Sequence, residues 1–180
     1  MRIVLKTALI VAVSALVIPA CFARKSNTPQ KLPAQSFPDY IDAKLAFGVY
    51  HQAWALMSSS GYEDQGQLFI FESNNKKDID IDVVKAGERK VSHTYRTTHK
   101  DSPTLAPLLQ RASKLKPFES KVFDGVTYEF RHYQKADGNT FKLVKSLEMN
   151  NPEAMGAKEH VEIIKSLEAF RVHPSSKKEP

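Results

Sequence analysis

Apolar and polar positions change their period several times along the chain, and each period predicts an element. From residue 78 to 84, Ile79, Ile81 and Val83 alternate with Asp80 and Asp82. A period of two marks a strand with one buried and one solvated face. Residues 67–72, rich in aromatic and β-forming side chains, predict a strand before it across the polar turn Ser73-Asn74-Asn75-Lys76-Lys77. A turn at Ala86-Gly87-Glu88 leads to another strand over residues 90–97. Leu105, Leu108, Leu109, Ala112 and Leu115 then recur at helical spacing. Pro107 sets the regular start of that helix near Thr104, and Pro117 stops it.

The second half repeats the alternation. Val126, Tyr128 and Phe130 interleave with Thr127, Glu129 and Arg131, and Asp137-Gly138 provides a hairpin turn. On the return strand, residues 140–149, Phe141, Leu143 and Leu147 share a face with Lys145, whose stem reaches solvent from an edge. Asn151 and Pro152 suit the start of a last helix, with Ala157, Val161, Ile164 and Leu167 as its stripe, widened by Ile163 and Phe170. Residues 43–59 fit two periods. Leu45, Val49, Ala53 and Leu56 make a helical stripe, while Leu45, Phe47 and Val49 make a strand, and Ser58-Ser59-Ser60-Gly61 closes the element. Strands in runs joined by tight turns, with one-faced helices, predict an α+β fold: a largely antiparallel sheet packed by helices.

The first residues follow a different grammar. Arg2 and Lys6 precede an apolar run over residues 7–18, which breaks at Pro19 and passes into Ala20-Cys21-Phe22-Ala23. A basic start, a short apolar core and small closing residues predict a secretory signal over residues 1–23. The run is shorter than the roughly 20 residues that span a bilayer. Cleavage after Ala23 places small residues at the two positions that signal peptidase reads. The alternative is lipid attachment at Cys21, the one cysteine of the chain, within the lipobox-like Ile18-Pro19-Ala20-Cys21. Residues 24–38 read as a linker, 39–173 as a single domain, and 174–180 as a tail after Pro174.

Charge narrows the functional classes. The chain carries 26 Lys and Arg against 20 Asp and Glu, a formal net charge of +6. Setting aside Arg2 and Lys6 of the signal, Arg24, Lys25 and Lys31 of the linker, and Lys177, Lys178 and Glu179 of the tail leaves 19 basic and 19 acidic residues in the domain. A neutral domain lacks the concentrated basic footprint of nucleic-acid binders. Contact with membranes is expected only through a lipid anchor or the basic termini.

Candidate chemistry is sparse. Asp78-x-Asp80-x-Asp82 opens like a calcium loop, but Val83 and Arg89 stand where the loop needs glycine and a bidentate acid, so the three acids read as a solvated strand face. His93, Arg96, His99 and Lys100 form a basic stretch that can meet an acidic protein partner. His132 lies on the apolar alternation of Tyr128 and Phe130 and reads as a hydrogen-bonded core histidine. Trp54 and Tyr62 are either pocket-lining or core residues. Nucleophile-elbow, phosphate-loop and zinc spacings are missing from the sequence, so no cofactor or metal is expected.

Three features carry a resemblance. They are Phe47-Gly48-Val49 followed by Trp54, the mid-chain helix leading to Phe123-Asp124-Gly125-Val126, and the closing Ile163-Ile164-Lys165-Ser166-Leu167. By layout over residues 43–172 the chain resembles the PsbP-like and DcrB-like domains, small exported or lipid-anchored α/β/α sandwich proteins. Tyr50 and His51 stand where that pattern has a proline before the tryptophan. The resemblance implies a non-enzymatic adaptor or stabiliser near a membrane. The functional expectation is therefore an exported, non-catalytic binding protein of the bacterial cell envelope with a protein partner. Its alternatives are an immunity protein against an exported toxin and a small periplasmic enzyme assembled from distant residues such as His93, His132 and an acid. A small-ligand binder would need a sizeable cavity between sheet and helix.

Overall fold

A computed structural model describes residues 30–31, 37–60, 64–85, 90–118, 125–137 and 140–172. In chain order the elements are β1 (Gln30–Lys31), α1 (Phe37–Leu45), β2 (Tyr50–Ser60), β3 (Asp64–Ser73), β4 (Asp78–Lys85), β5 (Lys90–Val91) and β6 (His93–Thr98). There follow α2 (Leu105–Lys114), β7 (Val126–Lys135), β8 (Phe141–Asn150), α3 (Lys158–Glu168) and a 3-10 turn (Ala169–Arg171). Six strands form one sheet in the order β6-β4-β3-β2-β7-β8, every neighbouring pair antiparallel. Short β1 and β5 pair separately, antiparallel. The fold is α+β with a largely antiparallel sheet, as the strand runs predict.

Helices cover both faces of the sheet. On one face α2 and α3 lay Leu105, Leu108, Leu109, Ala112, Ile163, Ile164 and Leu167 on Leu56, Leu68, Ile70, Ile81, Phe130 and Leu147. On the other, α1 lays Tyr40, Ile41 and Leu45 on Ala53, Ala55, Phe69 and Phe71. Each fully buried apolar side chain removes enough area from water to contribute about 1.5–3 kcal/mol. The 3-10 turn closes the α3 side: Tyr95 donates to the Phe170 carbonyl at 2.5 Å, and burial pushes the Tyr95 hydroxyl up to about 12. A Cβ on Gly66 would stand 1.9 Å from the Arg171 guanidinium, so that side chain lies where only glycine leaves room.

Residues 43–59 follow neither stripe: of Leu45, Val49, Ala53 and Leu56 only Leu45 is helical, and Leu45, Phe47 and Val49 lie in no strand. Phe37–Leu45 is helix and Tyr50–Ser60 is strand. Phe47-Gly48-Val49 is a turn between them, with Phe47 79% exposed, not an opening strand. Ser58 to Ser60 are the last residues of β2 and not a turn, and Ser58 is buried with its hydroxyl on the Gly66 carbonyl. Within the stretch read as a linker, Gln30–Lys31 pairs with β5 and α1 begins at Phe37. The last helix starts later than Asn151 and Pro152 suggest. Asn151 takes a positive φ of 48°, turns occupy the next residues, and α3 begins at Lys158.

The acidic face of β4 is buried, contrary to the solvated face its alternation suggests. Asp82 is 1% and Asp80 7% exposed, because α1 and Tyr50 cover them. Tyr40 donates to Asp82 at 2.5 Å and Lys44 pairs with the same carboxylate. Tyr50 donates to Asp80 at 2.6 Å, and Arg96 grips it with two nitrogens at 2.7 and 3.0 Å. Burial by itself would raise the Asp80 carboxyl. The hydrogen bonds from Arg96 and Tyr50 and the charges of Arg96 and Lys44 outweigh it and hold Asp80 below the usual carboxylate range.

Two bulges re-aim side chains. Between β2 and β3, Tyr50 faces Ser73 and Gln52 faces Glu72, leaving His51 as the extra residue. Between β7 and β8, His132 faces Lys145 and Tyr133 faces Leu143, leaving Val144 extra. The second bulge overturns the shared face read on the return strand. Phe141 packs on the α1 side, Leu143 pairs with Tyr133 of that side, and Leu147 stays in the α2 core. Lys145 does not end in solvent: it donates to the Leu115 carbonyl at 2.8 Å, beyond the end of α2.

Candidate functional site

The first bulge builds a site. Strict alternation would put adjacent His51 and Gln52 on opposite faces. Instead Tyr50 turns to the α1 core, and His51 and Gln52 both line a cleft between the sheet and α2. The cleft encloses about 330 Å³. Trp54, Ile79 and Leu109 supply its apolar surface, Glu72, His99 and His132 its polar wall, and Lys76 and Lys114 are its lysines. Its size falls at the lower end of the roughly 300–1,000 Å³ of small-molecule sites.

The polar wall is wired. His51 Nδ1 lies 2.8 Å from the Ser73 carbonyl, so that nitrogen carries the proton. In the neutral ring the opposite nitrogen, Nε2, then accepts from the Gln52 amide at 3.3 Å. Gln52 Oε1 accepts from His132 Nε2 at 2.9 Å. The Glu72 carboxylate takes His99 Nε2 on one oxygen at 2.7 Å and faces His51 Nε2 from the other at 3.3 Å. The His132 ring lies flat on Trp54, centroids 5.0 Å apart and planes 9° from parallel. Burial lowers the His132 pKa, and the Glu72 charge opposes that only in part. A neutral His132 agrees with the single proton that the Gln52 contact requires.

The candidate partner-binding residues separate. His93 pairs across from Val83 with its ring 5.4 Å from Tyr95, and it is not among the residues lining the cleft. Arg96 points to the α1 face and is neutralised by Asp80. His99 enters the cleft, and Lys100 is exposed in the turn that follows β6. His132 is hydrogen-bonded, as its place on an apolar strand suggests, and also forms part of the cleft wall. Cys21 and Tyr62 lie outside the described residues. His51, Gln52 and Glu72 were not singled out from sequence. Their signal is polarity at the ends of otherwise apolar strands, His51-Gln52 before Ala53–Met57 and Glu72 after Leu68–Phe71.

Among the described residues, no group of three or more His, Cys, Asp or Glu is placed to hold a metal ion. No helix among them is long and apolar enough to cross a membrane. Fold and site together define a three-layer α+β domain with an imidazole-rich cleft between sheet and helix. Compared with protein-family models, curated proteins and solved structures, the chain matches none.

Proposed function

We propose that the chain is an exported, non-catalytic binding domain of the bacterial cell envelope, and that the cleft beneath α2 receives a group presented by its partner. One observation carries the proposal: polar groups of the cleft hold one another in a fixed wall beside an apolar surface. Glu72 holds the His99 imidazole, and Gln52 bridges the ring nitrogens of His51 and His132. Such a wall selects a ligand by shape and polarity without reorganising.

Filling the cleft tests this. Ala106→Phe, on the cleft side of α2, is expected to leave the circular dichroism spectrum unchanged and to abolish retention of the partner that the wild-type protein holds from envelope extracts. Equal retention by both would remove the cleft from the function. Export is tested separately by intact mass and fractionation. The expected product begins at Arg24, is periplasmic, and is unaffected by Cys21→Ser. Membrane association lost in that variant would establish a lipid anchor instead.

A second reading has its own observation: Glu72 and three imidazoles converge in one cleft, as the site of a small periplasmic enzyme would. Hydrolysis of a chromogenic ester panel that disappears in Glu72→Gln would replace binding with catalysis.

A further inference from the structure

The cleft has an excess of donors and positive charge, which narrows what it holds. Its one carboxylate, Glu72, is 8% exposed, takes the His99 imidazole on one oxygen and faces His51 from the other. Gln52 Oε1 is taken by His132. The lysines differ. Neither Lys76 nor Lys114 pairs with a carboxylate among the described residues. Two cationic donors therefore border an apolar surface of Trp54, Ile79 and Leu109.

Lys76 carries a further mark. Its φ is +54°, in the left-handed region that a lysine enters only at a cost and a glycine enters freely. Its turn is tied down at both ends. Lys76 N–H donates to the Ser73 carbonyl at 2.9 Å, and Asn74 N–H donates to the Val49 carbonyl at 2.8 Å. The chain therefore keeps a strained cation at the cleft where an unstrained glycine would make the same turn. Strain of this kind concentrates at ligand-holding positions.

We infer that the cleft binds a carboxylate carried on a flat apolar body. Lys76 and Lys114 meet the carboxylate, and Trp54, Ile79 and Leu109 meet the ring. Both a free aromatic acid and an aromatic residue at a chain's C-terminus offer this chemistry. The inference rests on the cleft being the binding site.

Trp54 is the only tryptophan of the chain and lines the cleft, so its fluorescence can follow ligand binding there. The full mature protein is titrated with N-acetylphenylalanine, its neutral amide, phenethylamine, and a short peptide ending in phenylalanine with either a free or an amidated C-terminus. The acids are expected to bind at least tenfold tighter than the amides, on the order of one charge-assisted hydrogen bond. Whichever acid binds tighter, free or peptide, identifies the source. Lys76→Gln and Lys114→Gln are each expected to weaken the acids and leave the amides unchanged. Lys76→Gly separates binding from folding: its thermal midpoint is expected to hold or rise while acid affinity falls. Amides binding as tightly as acids, or phenethylamine binding tightest, would overturn the carboxylate while leaving the cleft a binding site. No response to any probe, with partner retention still lost in Ala106→Phe, would also overturn it. If retention survives Ala106→Phe as well, the cleft itself fails.

Discussion

His132 joins stability to function at the level of a single side chain. It stacks on Trp54, donates to Gln52, and burial lowers its pKa below the ordinary imidazole value of 6.5. The unfolded chain therefore binds the proton more readily than the folded one. The stability that neutral His132 contributes is fully present above about pH 6.5 and is lost as pH falls through the lower folded value. Urea midpoints measured between about pH 7.5 and pH 5 are expected to fall with acidity. The fall should be shallower in His132→Gln, and an equal slope in both proteins would assign the loss to other groups. Sequence alone placed His132 on an apolar strand face and so foresaw a hydrogen-bonded histidine. Its partner Gln52 lies 80 positions away and could not be read.

Among the elements, α1 decides the fate of the acids on β4. Asp80 and Asp82 interrupt an Ile and Val run with charge, and a strand so patterned solvates one face unless something covers it. Here α1 covers it and brings its own partners, Tyr40 and Lys44 for Asp82. Asp82→Ala leaves Lys44 beside an apolar face without its counter-ion. Breaking a buried pair of this kind costs about 3–5 kcal/mol. Chemical denaturation is expected to show that loss, with α1 the first segment cut by protease; a change under about 0.5 kcal/mol, the scatter of ordinary surface substitutions, would mean that α1 is held by its apolar side chains alone. Asp80 adds a dependence of its own. Its lowered carboxyl contributes stability above the usual value of 3.8 that disappears as pH falls through the folded value. The two bulges belong to this scale as well. One extra residue at His51 and one at Val144 change which face each flanking side chain occupies. No periodicity in a single strand reveals them, because a bulge is a relation between two strands.

Across the whole molecule, two apolar cores share one sheet, so neither can dissolve without exposing the other's floor. Unfolding followed by Trp54 fluorescence, which reports the α2 and α3 side, is expected to coincide with unfolding followed by far-ultraviolet circular dichroism. Separate midpoints would show that the α1 layer melts independently. Strands β3, β4, β6, β7 and β8, the two amphipathic helices on the α2 side and the α+β class were legible in sequence because each depends on local period and turn chemistry; β2 and β1 were not. Leu105 to Leu115 and Ile79 to Val83 each declare a face without reference to any other segment. The cleft was not legible. His51, Glu72, His99 and His132 come from four separate segments and meet only after a bulge, four strand pairings and the docking of α2. Periodicity determines which side of an element is apolar. Only tertiary structure decides what lies against that side, because the solvation of a charge and the partner of a ring are set by neighbours distant in the chain.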